Sequence, residues 1–388
     1  MSNKFKDLIM LAVCTVTLTL AVWLPHILAL PNFWGLSFKE GFSTIDRNYD
    51  GLEYIAIAKS FYNPDILNSL PMGLSANYFA SHFPGYSLLI SLLAPFFGYL
   101  KSMLIVAIIS TILATWVFYL LVYNFRLSSH PLFLSLLFLI LPARWLIVHS
   151  VGSSEPTFIL FTLSAIYFFM KFEQSSKFSY ILLAGGMGAL AQLTRPPGIL
   201  LFIAIGCFLI WKVIAQKAGQ FVSLMRIIVT YSPLILIPLA LLTVFFWYSL
   251  TYQDFFAYFK SGDNIHLTFP PFQVFNKHQF WVGEAWLEDI VYIFILGFLG
   301  GVLLIKQKLY PMAFFVVTFL AAAIFVAHRD ISRYVLPVTP FVLIAFEKVL
   351  TSKEFKIISP LIFLAIYLYA QNFILQNAAP IPNLAPFN

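Results

Sequence analysis

Long apolar runs separated by short polar stretches dominate the chain, and few of them carry a polar stripe. A hydrocarbon core about 30 Å thick takes roughly 20 helical residues at about 1.5 Å each. On that measure spans are expected near 8–30, 103–124, 131–148, 157–170, 178–194, 198–212, 227–250, 288–305, 310–327, 334–350 and 357–375. The first run is longer than a signal-peptide core and lacks a clear small-residue cleavage site, so it reads as a retained helix. A further apolar run, 84–100, is interrupted by Pro84, Gly85, Pro95 and Gly98. An interior proline costs a helix about 3 kcal/mol.

Charge decides how 84–100 is read. With that run not crossing and the N-terminus cytoplasmic, thirteen basic residues share one side: Lys4, Lys6, Arg126, Lys171, Lys177, Lys212, Lys217, Arg226, Lys306, Lys308, Lys348, Lys353 and Lys356. Only Asp7, Glu173, Glu347 and Glu354 oppose them there. If 84–100 crossed, every later loop would flip, against the positive-inside bias. The expected fold is an all-α polytopic membrane protein with eleven transmembrane helices, N-terminus in and C-terminus out. The run 84–100 becomes a juxtamembrane or re-entrant helix on the outer face. One transmembrane domain covers 1–375, and its first outer loop, about 31–102, is expected to carry amphipathic juxtamembrane helices. A second outer loop spans about 251–287, and the proline-rich tail 376–388 reads as a loose end.

Composition agrees: 61% of residues are hydrophobic, 10% are charged and the mean hydropathy is +0.88. Soluble domains carry about 25% charged residues. A water-soluble globule, a disordered chain and a nucleic-acid binder are thereby excluded. The net charge of +7 reports topology rather than an anionic partner. Cys14 and Cys207 both lie in apolar runs, so they offer neither a disulfide framework nor a thiolate metal site.

Polar chemistry gathers in the outer loops. The first contains Thr44-Ile45-Asp46-Arg47-Asn48-Tyr49-Asp50-Gly51-Leu52-Glu53-Tyr54. Asp50 with Glu53 three residues on has the spacing of a helix N-cap and its capping-box partner. The same carboxylate, held at a helix start beside the membrane, is placed to take a proton from a hydroxyl. Asp46 is open to orienting an acceptor, binding a metal or pairing with Arg47. Ser81-His82-Phe83-Pro84-Gly85-Tyr86, Ser153-Ser154-Glu155-Pro156, Thr194-Arg195-Pro196-Pro197-Gly198 and His328-Arg329-Asp330-Ile331-Ser332-Arg333-Tyr334 follow, each at the outer end of a span. His82 is open to acting as a base or donor, or as an interfacial hydrogen-bonding residue. Arg195, Arg329 and Arg333 can bind phosphate in bidentate fashion, or brace helix ends against Asp330 or a glutamate. The 251–287 loop is rich in aromatics, among them Tyr252, Phe255, Phe256, Phe269, Phe280, Trp281 and Trp286. These form either a belt at headgroup level or a lid over a sugar or isoprenoid.

Taken in order, Tyr-Asp-Gly-x-x-Tyr-Ile-x-Ile-Ala, Phe-Pro-x-Tyr-x-Leu-Leu, Ser-Glu-x-x-Phe, Leu-Thr-Arg-Pro-x-Gly and Arg-Tyr-x-Leu-Pro-x-x-Pro resemble the polytopic GT-C glycosyltransferases. Among them, the GPI mannosyltransferase II (PIG-V-like), protein O-mannosyltransferase-like and aminoarabinose-transferase-like families are the most similar. The resemblance implies transfer of a monosaccharide, mannose being expected, from a polyprenyl-phosphate donor to a lipid, glycan or protein acceptor at the outer membrane face. It implies Asp50 as the catalytic aspartate and general base, with Asp46 and Glu155 as the other acidic positions. His82, Tyr86, Arg195, Arg329, Arg333 and Tyr334 become substrate-binding residues. The second loop departs from the family by offering Glu155 without an Asp-x-Asp pair, which leaves a divalent cation (Mg or Mn) open. The expected setting is a multi-pass protein of a prokaryotic plasma membrane. A transporter or lipid flippase, and a non-catalytic relative in a glycan-assembly complex, are the other readings. Spans almost devoid of ionisable residues argue against the first, and the presence of Asp50 against the second.

Overall fold

The computed structural model describes residues 3–215, 229–261, 267–284 and 287–388. Lys217, Arg226 and Trp286 lie outside the described residues. The described chain is helical, with isolated bridges in place of sheet. Its main helices are α1 (Asn3–Ile27), α2 (Gly51–Ser60), α3 (Gly85–Phe97), α4 (Tyr99–Asn124), α5 (Pro131–Phe138), α6 (Ala143–Val148) and α7 (Glu155–Ser175). They continue with α8 (Phe178–Thr194), α9 (Ile199–Ala215), α10 (Leu236–Thr251), α11 (Glu288–Lys306), α12 (Tyr310–Ala323), α13 (Thr339–Ala345) and α14 (Lys353–Gln376). Seven helical stretches among the described residues are long and apolar enough to cross a membrane. The protein is an integral membrane protein.

Two expected spans are broken. The run 131–148 divides into α5 and α6, because Pro142 supplies no N–H to continue the ladder. The run 334–350 becomes one-turn pieces around α13, with Pro337 and Pro340 at the breaks. Hydrogen bonds fix which helix ends lie together. At one end Tyr119 donates to Asp7, Trp116 to the Leu8 carbonyl and Ser128 to Glu347, and Lys212 pairs with Glu173. At the other, Trp23 donates to the Ser150 carbonyl at 2.6 Å. The latter end also holds Asp50, Glu155, Arg195 and Arg333.

Helix α3 begins and ends at this second end. Tyr86, in its first turn, donates to the Met103 carbonyl in the second turn of α4 at 2.7 Å. Ser87 and Ser91 donate to the carbonyls of Tyr54 and Ala58, so α3 lies along α2 rather than traversing the bundle.

The structure corrects two expectations. Helix α2 is no amphipathic surface helix: Leu52, Tyr54, Ile55, Ala56, Ile57 and Ala58 are all at most 3% exposed. Nor is the tail loose. Ala379 exchanges hydrogen bonds with Arg47, Lys59 donates to the Pro386 carbonyl at 2.7 Å, and Phe387 is fully buried. Phe387, just after the last tail proline, is buried, and Ile381 and Leu384 pack half-buried against the core, which with these hydrogen bonds fixes the segment.

Candidate active site

Two glycines bring the site together. A Cβ on Gly51 would lie 2.8 Å from Met103 Sδ and 3.1 Å from the Gly152 carbonyl oxygen. Only a residue without a side chain lets the start of α2 sit against the loop that leads into Glu155. A Cβ on Gly85 would lie 2.9 Å from the Leu193 carbonyl oxygen, so the segment carrying His82 rests on the end of α8 beside Arg195.

Asp50 occupies the N-cap position of α2, yet its side chain caps nothing. Its Oδ2 accepts from Arg333 Nη2 at 2.6 Å, and His82 Nε2 stands 3.9 Å away. Burial pushes this carboxyl up, but the Arg333 guanidinium, with help from His82 and Arg195, overrides that and holds it below the usual carboxylate range. Asp50 is therefore ionised, and its side chain is 29% exposed, so it remains reachable. Glu155, whose side chain is 2% exposed, pairs with both Arg195 and Arg333 and accepts from Ser153. Arg333 thus bridges the two carboxylates. Its Nη1 makes no hydrogen bond among the described residues.

Further polar groups join the cluster. Arg195 donates to Ser154 Oγ at 3.0 Å, and that oxygen meets the Tyr54 hydroxyl at 2.8 Å. The Tyr54 ring packs edge-on against His82, whose Nδ1 contacts Ser81 Oγ at 2.9 Å. Burial holds His82 below its ordinary pKa. Glu53, one turn beyond Asp50, is pushed up to about 8 by burial and by the Asp50 charge. Two carboxyls on one helix face are thereby pushed apart, Asp50 down by its guanidinium and Glu53 up by burial.

The remaining expected site residues divide. Tyr334 is half-buried with its ring 5.1 Å from His328, at the rim of the cluster. Arg329 is exposed above the Phe280 ring at 5.6 Å and forms no ion pair among the described residues. Tyr86 is fully buried behind Tyr54, with its hydroxyl committed to the Met103 carbonyl. Asp46 stays out of the cluster. Burial alone raises it to about 6, and the neighbouring Arg47 pairs with Glu40 instead. Arg144 pairs with Asp330 at 3.1 Å and donates to the Tyr49 hydroxyl at 2.9 Å. Sequence reasoning missed Tyr49, Glu53, Tyr54 and Ser154 as site residues. Tyr54 falls at i+4 from Asp50, the one spacing that could have flagged it.

The described part of the aromatic loop is tied down. Thr268 and Phe272 donate backbone N–H groups to the carbonyls of Phe325 and Ile324, and Trp281 is 3% exposed with its ring 6.2 Å from His328.

No three His, Cys, Asp or Glu side chains among the described residues are placed to hold one metal ion together, and the Arg333 guanidinium bridges the Asp50 and Glu155 carboxylates.

A family model described as dolichyl-phosphate-mannose-protein mannosyltransferase matches residues 81–237. Among solved structures, ArnT from Cupriavidus metallidurans bound to undecaprenyl phosphate superposes with a TM-score of 0.56 at 13% identity, over 91% of this chain and 62% of that one. The same protein in the apo state gives 0.57 at 15% identity. The archaeal oligosaccharyltransferase AglB from Archaeoglobus fulgidus, in complex with an inhibitory peptide and a dolichol-phosphate, gives 0.55 at 15% identity, over 97% of this chain and 56% of that one. The chain shares the fold of these structures. It spans less than two thirds of each of these relatives, and by sequence no curated relative matches it. On this fold Asp50 sits in the first loop, Glu155 opens the second, and the two meet at one end of the bundle.

Proposed function

We propose that the chain is a glycosyltransferase that moves a monosaccharide from a polyprenyl-phosphate donor to an acceptor hydroxyl at the outer membrane face. The observation that carries this is the reachable, ionised Asp50 carboxylate held against Arg333, within a cluster that also contains Arg195 and Glu155. The GT-C fold and the relatives crystallised with undecaprenyl phosphate or dolichol-phosphate support the donor class. The name of the matching family model makes mannose the first sugar to test. The end of the bundle opposite the site holds Lys171, Lys212 and Lys356, which supports an outward-facing site by the positive-inside bias.

In the reaction the acceptor oxygen bonds to the anomeric carbon, and the bond from that carbon to the phosphate oxygen breaks. The hydroxyl proton passes to Asp50, and the lipid phosphate leaves with the bonding pair. A carboxylate with so low a proton affinity accepts the proton late, as the new bond makes the hydroxyl acidic. Guanidinium N–H groups meet the charge that develops on the phosphate. Arg333 Nη1 retains donors for it, and so does the exposed Arg329 at the rim.

The test is a transfer assay on lipid-reconstituted protein, with a panel of labelled polyprenyl-phosphate sugars and a crude lipid and glycan acceptor extract, beside Asp50→Asn. Removing a general base lowers the rate about 10²- to 10⁴-fold. Near-normal transfer by Asp50→Asn at equal expression removes Asp50 as the base. Label crossing the bilayer with no donor consumed replaces the transferase with a transporter.

A further inference from the structure

We propose that Tyr49 is the positioning residue of this site, its ring being the face on which Arg333 is held while Asp50 and Glu155 take the edges of the guanidinium. The inference rests on the reading of the site as that of a transferase.

Tyr49 immediately precedes Asp50 and is 9% exposed. Its backbone is left-handed, with φ at +49°. That conformation favours glycine or asparagine and costs an L-residue with a bulky side chain. An aromatic kept where local sterics disfavour it points to a demand from its surroundings. The surroundings supply one. Arg333 Cζ lies 4.2 Å from the ring centroid. Phe373 of α14 stacks on the ring at 5.5 Å and 28°, and Arg144 donates to the hydroxyl at 2.9 Å. Arg144 is itself held by Asp330 at 3.1 Å and lies over Phe373 at 4.0 Å.

Arg333 is therefore bound on two edges and one face. The Nη1 donors remain, fixed in direction, for an anion beside Asp50. Without the ring the guanidinium regains rotamers, which loosens both its hold on Asp50 and its aim at a phosphate.

The groups facing Asp50 are Arg333 and His328 from the 328–334 segment, Arg195 from the end of α8, His82, and Glu53 from its own helix. The Tyr78, Tyr334 and Tyr54 phenols stand nearby; burial keeps Tyr78 and Tyr54 neutral. Of these groups Arg333 lowers Asp50 most, so loosening it raises the titration midpoint of Asp50.

The experiment is an infrared titration of the Asp50 carboxyl in the full chain in lipid nanodiscs, taken as a difference from Asp50→Asn. It is run on wild type, Tyr49→Phe and Tyr49→Leu, with donor KM and kcat measured in parallel. Tyr49→Leu is expected to move the midpoint up by about one pH unit and to raise donor KM about tenfold, the scale of a desolvated cation–π contact. Tyr49→Phe restores the wild-type midpoint. A folded Tyr49→Leu with an unmoved midpoint overturns the proposal, as does a Tyr49→Phe as displaced as Tyr49→Leu. Should Tyr49→Leu fail to fold, Phe373→Leu decides, because it removes the stack beneath the ring; an unmoved midpoint there also overturns the proposal. The titration needs no turnover. A moved midpoint without transfer by wild type sinks the transferase reading alone, and transfer with an unmoved midpoint sinks only the role of Tyr49.

Discussion

Glu155→Gln isolates the electrostatics of the cluster without changing its shape. The Glu155 side chain is 2% exposed and receives Ser153, Arg195 and Arg333. Both guanidinium groups bond Oε1, which the amide supplies as its carbonyl oxygen, while Oε2, which accepts from Ser153, becomes an NH₂ group that can donate to the Ser153 hydroxyl; the charge is what is lost. Arg333 retains the Asp50 carboxylate at 2.6 Å, whereas Arg195, 14% exposed, keeps only neutral acceptors, the amide oxygen and Ser154 Oγ at 3.0 Å. One buried guanidinium is left without its carboxylate. Breaking a buried pair from one side costs about 3–5 kcal/mol, most of it the stranded charge. The assay is denaturant unfolding of the detergent-solubilised chain, followed by tryptophan fluorescence. Arg195→Met and the double variant complete a thermodynamic cycle. The double variant is expected to be no less stable than Glu155→Gln alone, with a coupling energy of roughly 2 kcal/mol or more. A loss below about 1 kcal/mol for Glu155→Gln, or strict additivity of the two changes, would refute the picture of a desolvated pair.

Three other outcomes are expected. Glu53 has an ordinary pKa of 4.5 and a folded value of about 8, so the folded state holds a proton that the unfolded state has released between those values. Stability therefore falls as pH rises from about 4.5 to about 8, and Glu53→Gln should flatten that slope in a series of melting curves. Gly51→Ala, which must displace Met103 or the Gly152 backbone, should separate Asp50 from Glu155; it is expected to lower transfer at least tenfold while the chain still inserts into membranes. Trp281→Ala empties a 3% exposed site and breaks the bond to the Val274 carbonyl, so a loss of about 3–5 kcal/mol is expected in the same unfolding assay.

The apolar runs were legible because lipid imposes a length on every crossing, and ten or so polar positions at one end of the bundle followed from charge parity. What stayed hidden was decided between residues far apart in the chain. Asp50 and Glu53 have a capping-box spacing, and nothing local says that Arg333, 283 positions on, takes the carboxylate away from the helix end. The same holds for Arg195 and Glu155. Tyr86 and Tyr54 are alike in type and both lie near the site, but one hydroxyl goes to a backbone carbonyl and the other to Ser154. Pro142, Pro337 and Pro340 were visible, yet the apolar flanks around them read as continuous because hydropathy does not register a missing N–H. The tail misled for the opposite reason: its prolines suggested looseness, while Phe387 alone carried the signal for burial.

The docked tail has a consequence for how the site comes into being. The contacts of residues 374–387 with Arg47, Asn48 and Lys59 join positions more than 320 residues apart, at the very helix that carries Asp50. During synthesis that helix emerges long before its partners, and its apolar faces wait for them. The packing beside Asp50 is completed only once α14 has been inserted and the segment after it has folded back. Maturation of the site thus waits on residues 374–387, and a chain stalled or cut before them would leave the start of that helix without these contacts.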